Sequence, residues 1–361
     1  MPVPNFYGLA VLRKGEQSVP ESLPELHLNI WETDRLFAPK STFFDIGLML
    51  DLRDQATSFE FVFPWKLSGD DFEDLTPRLE KAGAIPAVFN ESWSCTNTNN
   101  TGTYVIVDEA RNDFFTMVQI DTKDRTVTSS DEGVSLLSLD IEKIKNTSKS
   151  IKLEASKMYV RFRIKKIPQD FYRVSINAKD RFFLSSWQGT EVIDFRINVK
   201  RGIPVGFEHK FGGKFVSFKK IHLFLMKSRD QDLVFEDKYF KSCRSLEDEI
   251  FWADYSMPKN SFAWNRWFNQ RRVKNSLGYQ WTKAIGPIVS PNNAAPQLIE
   301  FGTLARFKVV RFRVLQFIIA AALVGALGNL VWDAIKFRYE KTPLANTILD
   351  WISTKPEKGS K

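Results

Sequence analysis

The stretch YVIVDEARNDFFTMVQIDTK, residues 104–123, holds the one arrangement of residue types in this chain that reads as catalysis. Asp108 closes one strand-like run, and Asp121-Thr122-Lys123 closes the next. Two carboxylates at strand ends could hold Mg²⁺, with Lys123 orienting or polarising an attacking water. Other chemistry is sparse. His27, His209 and His222 are scattered without metal-ligand spacing, and His222 sits in a strand pattern, where a packed or surface ring is the simpler reading. No H-E-x-x-H, phosphate-cradling glycine loop, G-x-S-x-G elbow or Cys/His cluster occurs. No cofactor and no metal is expected on this basis.

The Asp108, Asp121 and Lys123 pattern resembles metal-dependent nucleases of the PD-(D/E)xK type, which would imply Mg²⁺-assisted phosphodiester hydrolysis. It departs from them in lacking a proline before Asp108 and the helices that flank the strands of that fold. Hairpin strands also commonly end in solvated charges. The first expectation is therefore a binding or assembly protein, with the nuclease as its alternative.

The elements that must position these residues are mainly strands. In FDIGLML, Phe44, Ile46, Leu48 and Leu50 alternate with other residues, as Phe59, Phe61, Phe63 and Trp65 do in SFEFVFPW. YVIVD and FTMVQI read as a hairpin joined through EARND. Val160, Phe162 and Ile164 are expected to face a core, with Arg161, Arg163 and Lys165 facing water. Ile193, Phe195, Ile197 and Val199 repeat that pattern, and VSFKKIHLFLM completes it. Such runs predict antiparallel sheets in sandwich- or barrel-like lobes with a few helices. Helices are expected over Asp70–Gly83, whose acidic start suits a helix N-terminus, and over Ser245–Ser256. The polar run IEKIKNTSKSIKLEASK suggests a boundary near residue 150.

Charge supports that boundary. Residues 1–150 carry 14 Lys and Arg against 24 Asp and Glu, leaving 37 against 19 for residues 151–361. An acidic lobe (1–150) and a basic lobe (151–300) follow from that split. The chain has two cysteines, Cys95 and Cys243, so a disulfide framework is excluded and a reducing compartment is the default. The N-terminus lacks the apolar region of a secretory signal.

One segment is unlike the rest. VLQFIIAAALVGALGNLVW, residues 314–332, runs for 19 residues without a formal charge, apolar around its whole circumference. At ~1.5 Å per residue a helix of that length matches a bilayer's hydrocarbon core. Arg306, Lys308, Arg311 and Arg313 precede it, and Trp332, Lys336, Arg338 and Tyr339 follow, as a membrane–water boundary favours. The expectation is a basic juxtamembrane segment (301–313), a transmembrane helix (314–335) and a short C-terminal tail (336–361). Ala321, Gly325, Gly328 and Asn329 form a small-residue face suited to close helix–helix approach. Upstream, Trp264, Arg266, Trp267, Arg271 and Arg272 read first as an aromatic core anchor with a basic edge. An interfacial helix on anionic lipid ranks second, and stacking on nucleic acid third.

These features predict a single-pass, C-terminally anchored membrane protein with its β-rich head in the cytoplasm, on the inner membrane if bacterial. Its expected partners are anionic headgroups, further copies of itself and a cytosolic protein or ligand. The layout is analogous to membrane effectors of prokaryotic immune systems, in which a sensor drives association of membrane helices. A passive membrane scaffold has the same layout.

Overall fold

The computed structural model describes residues 8–15, 23–35, 38–80, 84–89, 93–97, 103–108, 113–129, 133–149, 156–177, 188–203, 206–246, 249–257, 270–271, 273–285, 297–310, 314–340, 347 and 350. The strands are Ala10–Gly15 (β1), Glu25–Arg35 (β2), Ala38–Asp51 (β3), Ala56–Phe63 (β4), Phe72–Asp74 (β5), Ser94–Asn97 (β6), Thr103–Asp108 (β7), Asp113–Val118 (β8), Arg125–Ser129 (β9) and Ser135–Asp140 (β10). Lys157–Ile164 (β11), Arg173–Asn177 (β12), Gln188–Ile197 (β13), Lys214–Phe215 (β14), Lys220–Ser228 (β15), Gln231–Glu236 (β16), Phe240–Ser245 (β17), Ser276–Ala284 (β18) and Phe301–Val310 (β19) follow. The α-helices are Thr76–Leu79 (α1), Ala84–Phe89 (α2), Ile141–Lys149 (α3), Phe207–Phe211 (α4), Glu249–Ser256 (α5) and Val314–Glu340 (α6).

The fold is mainly β, as expected. A ten-stranded sheet runs β17-β18-β15-β2-β3-β11-β8-β7-β6, with β5 paired to β11. A five-stranded sheet runs β14-β1-β4-β10-β9, and a four-stranded sheet runs β12-β13-β19-β16. Apolar faces of all three meet in one core that includes Leu28, Ile46 and Val160 of the large sheet, Phe59 and Leu139 of the second, and Phe195 and Phe307 of the third. This is a sandwich-type arrangement, because each strand contributes every second residue to the shared interior. The hairpin expected at EARND is present as β7 and β8, with Asp108 opposite Asp113.

Several expectations are corrected. Residues 8–149 and 156–309 do not form separate lobes: β2 pairs with β15, β3 pairs with β11, and residues 1–179 and 189–309 belong to one unit. The polar run after residue 140 is not a linker but begins with α3, whose Ile141 and Ile144 enter the core. The Asp70–Gly83 helix shrinks to α1, with Pro77 in its first turn. Phe72 instead stacks on Phe162 at 5.2 Å between ring centroids, which draws Phe72–Asp74 into a strand along β11. Ser245 ends β17, and α5 begins only at Glu249. The expected juxtamembrane segment 301–313 is largely β19, paired with β16 and burying Thr303, Ala305, Phe307 and Val309.

The largest correction concerns the far face of the ten-stranded sheet. Arg161 and Arg163 do alternate with the core residues of β11, but they are only 1% and 3% exposed. A second core covers that face, with Trp31, Phe43, Tyr159 and Met117 from the strands meeting Leu79 of α1, Ile85 of α2 and Trp252 and Tyr255 of α5. Buried charge here has to be paired, and it is. Arg163 Nε and Nη2 donate to Asp45 at 2.7 and 3.1 Å, and the Tyr255 hydroxyl donates to the same carboxylate at 2.9 Å. Arg161 donates to the Tyr255 and Tyr159 hydroxyls, both at 2.8 Å. Arg78 donates through Nη1 to the carbonyls of Asp254, Tyr255 and Met257 at the end of α5, where the helix dipole favours a cation.

Gly47 shows how tightly this face is built. It stands opposite His27 on one side and Arg161 on the other, and the Tyr159 ring occupies the space a side chain would fill. A Cβ there would lie 2.7 Å from Tyr159 Cζ. Gly47→Ala is therefore expected to destabilise the protein by about 1–3 kcal/mol, the usual range for overpacking. Urea denaturation checks this; an unchanged midpoint would show that Tyr159 has room to move.

Candidate functional site

The residues of the nuclease-like pattern are not brought together. In the β7–β8 hairpin Thr103 pairs with Val118 and Asp108 with Asp113. Asp121 follows the Val118 end, so about 17 Å of strand (five residues at ~3.4 Å) separates the two positions along the hairpin backbone. Asp121 instead caps a short 3₁₀ turn, its backbone N–H donating to Asp124 at 3.0 Å, and pairs at the surface with Lys123 at 3.6 Å. A cleft of about 360 Å³ beside this turn is lined by Phe72, Glu73, Asp74, Ile120, Thr122, Arg125 and Lys165, which present both signs of charge.

The helix α6 spans Val314–Glu340, 27 residues, beginning where the apolar run begins. Its described side chains run from 321 to 338, and every one of them is exposed. Leu323, Val324, Leu327, Leu330, Val331, Trp332, Ile335 and Phe337 are 54–69% exposed. Ala321 and Asn329 are likewise exposed, and a Cβ on Gly325 or Gly328 would meet nothing within 4 Å. Among the described residues, no helix is long and apolar enough to cross a membrane. The described part of α6 contains Asp333, Lys336 and Arg338, while the more apolar positions 314–320 lie outside the described side chains.

The flanking cations divide between two settings. Arg306 and Lys308 lie on the exposed face of β19, in a strand and not a linker, beside exposed Leu304. Trp332, Lys336 and Arg338 are exposed on α6. Arg311, Arg313, Trp264, Arg266, Trp267 and Arg272 lie outside the described residues. Arg271 is described as exposed, its carbonyl accepting from Asn275 N–H at 3.2 Å.

Sequence spacing gave no sign of a cluster on the second face of the large sheet. Strands β2 and β15 run parallel, with His27 opposite His222 and Glu25 opposite Lys220. Glu25 and His27 are two residues apart on one strand, so they share a face. Ligand atoms of Glu25, His27 and His222 all lie within 4.8 Å of one another, and the two imidazole centroids are 5.0 Å apart. Burial pushes the His222 pKa down to about 4, helped by Lys220 and Lys241. Burial, then His222, Arg161 and Lys220, hold His27 well below the usual range. Both rings are therefore neutral near pH 7. The partners are 195 residues apart in sequence, and only the parallel pairing of β2 and β15 reveals them.

A second buried charge group lies in the sandwich interior. Lys227, fully buried, donates to Glu32 at 2.8 Å and to Glu191 at 3.0 Å, and Arg173 lies 3.5 Å from Glu32. Burial pushes the Glu32 carboxyl up, but Lys227 and Arg173 outweigh it and leave the group below its ordinary range. Buried and mutually paired, this quartet reads as structural.

No protein-family model matches the chain, and no curated protein matches it.

Proposed function

We propose that this chain is a membrane-associated assembly protein, with α6 placed in lipid and the β-rich unit recognising a ligand or partner on the cytoplasmic side. The observation that carries the reading is the apolar surface of α6, exposed at every described side chain from 321 to 338. Full cover of a large apolar side chain stabilises by about 1.5–3 kcal/mol, so cover for eight of them amounts to on the order of 10 kcal/mol. Monomeric soluble proteins rarely leave so large a contiguous patch bare.

Adjacent features support the same reading. The apolar run extends upstream of the described side chains through Val314, Leu315, Phe317, Ile318 and Ile319. The four-stranded sheet, whose strand β19 precedes α6 in the chain, exposes Val174, Ile176, Phe235 and Leu304, with Arg306 and Lys308 on the same face of β19 as Leu304. Rings and aliphatic groups edged by cations suit an anionic membrane surface. The placing of Asp108 and Asp121 at opposite ends of the β7–β8 hairpin favours this reading over the nuclease alternative.

Self-association through the small-residue face is the assembly step of this proposal. Chemical cross-linking of the full chain in anionic vesicles is expected to give discrete multimers. Gly325→Leu combined with Gly328→Leu is expected to reduce them several-fold while the chain stays membrane-bound. Multimers that persist undiminished would remove this face from the account and favour a passive scaffold.

A further inference from the structure

We propose that Glu25, His27 and His222 form a binding site for a divalent transition-metal ion of the zinc type, with three protein ligands and an open position. The inference is independent of the membrane reading. Among the described residues this is the one group of three or more His, Cys, Asp or Glu side chains whose ligand atoms converge, all within 4.8 Å. Zinc bound at ~2.0–2.2 Å to nitrogen and oxygen ligands requires separations of about 3.4 Å between them in a tetrahedral site. Small side-chain rotations close that difference.

The donor set determines the class of metal. Two imidazoles and one carboxylate suit zinc, iron(II) or cobalt(II); magnesium and calcium favour all-oxygen sites. A ligand imidazole must offer a lone pair to the metal. His222 also has an outer partner, since its Nδ1 lies 3.1 Å from the Thr282 hydroxyl. Gln280 Nε2 lies 3.5 Å from the same nitrogen, so Nδ1 is held by outer partners that fix the ring and leave Nε2 for the metal, as outer-sphere partners of metal-bound histidines commonly do. Tyr159 and Phe89 flank His27 at 5.6 and 5.7 Å between centroids, giving one side of the site an aromatic wall.

The cations around the site set its strength. Lys219 lies 3.8 Å from Glu25, Lys220 is opposite Glu25 across the strand pair, and Arg161 and Lys241 act on the histidines. Their fields oppose a dication, and the exposed Lys219 competes directly for Glu25. Lys219→Ala is accordingly expected to tighten binding a few-fold.

The test uses the full chain in detergent, stripped with chelator and titrated with Co²⁺ and with Zn²⁺. One equivalent should bind, with visible d–d absorption and no thiolate-to-cobalt charge transfer, which separates this site from the exposed Cys95 and Cys243. His27→Gln and His222→Gln should each weaken binding by on the order of a hundredfold, and Thr282→Val by about tenfold. Circular dichroism establishes that each variant is folded. Glu25→Gln, at a half-exposed position, provides a ligand variant with little effect on the core. Absence of stoichiometric binding to the unaltered chain, a charge-transfer band, or equal affinity in folded His222→Gln would overturn the proposal.

Discussion

Asp45→Asn is expected to lower the unfolding free energy by about 3–5 kcal/mol, the cost of leaving a buried charge without its partner. Asp45 is fully buried and accepts from Arg163 and from the Tyr255 hydroxyl, while Arg161 lies 4.0 Å away. The neutral amide keeps the shape of the side chain and removes the charge that balances two guanidinium groups. Its NH₂ also points a donor at donors. Because Tyr255 belongs to α5, the damage should reach the helix that covers this face of the sheet. Guanidinium denaturation followed by tryptophan fluorescence measures the loss, with Trp31 and Trp252 as reporters packed 5.4 Å apart in the same cluster. A loss below about 1 kcal/mol would mean that water reaches the arginines. Replacing Arg163 with Met in the Asp45→Asn background should recover part of the loss, since an apolar group of similar length no longer needs the carboxylate.

Acidification is expected to destabilise the metal-free protein in two stages. In the unfolded chain both His27 and His222 titrate near 6.5; in the folded chain His222 titrates near 4 and His27 well below its usual range. Between those values the unfolded chain binds more protons, so stability falls as pH falls. For His222 alone the difference corresponds to on the order of 3 kcal/mol, developed between about pH 6.5 and 4. His27 adds to the same decline. Around the pair, Arg161, Lys220 and Lys241 oppose protonation, while Glu25, within 4.8 Å of both rings and itself paired with Lys219, favours it. Glu32 acts later: its folded-state value lies below its ordinary one, so its contribution is present above about pH 4.5 and is lost as pH falls through the lowered value. Urea midpoints measured across this range in chelator test the profile. His222→Gln should flatten the first stage and leave the second, whereas an unaltered chain with constant stability from pH 6.5 to 4 would contradict it.

Most of the strands could be read from alternation, because a half-buried strand must place apolar residues at every second position. Phe44, Ile46, Leu48 and Leu50, or Phe59, Phe61 and Phe63, leave little choice of face. What alternation could not show is that the opposite face is also covered. Asp45, Arg161 and Arg163 have the chemistry of a solvated surface, and only their partners on α5 make them interior residues. The same limit hid the histidine pair. Residues that meet across parallel strands carry no spacing signal, whereas a helical H-E-x-x-H does. The acidic run at Asp70 misled for another reason: a favourable helix start was overridden by Phe72, whose burial against Phe162 demands a strand. For α6 the reading of a helix from Val314 was correct, since nineteen uncharged residues admit few alternatives.

Membrane association of α6 is the central claim, and vesicle flotation tests it most directly. The comparison is between the full chain and a chain ending at Val310. A chain cut earlier, at Gly302, would lose eight of the ten residues of β19, with its buried Thr303, Ala305, Phe307 and Val309, and would confuse unfolding with loss of the helix. The full chain is expected to float with anionic vesicles and to resist carbonate extraction, while the shortened chain stays in the dense fraction. If the full chain stays in the dense fraction as a dispersed, folded protein, α6 is covered by protein rather than lipid, and the membrane account is wrong.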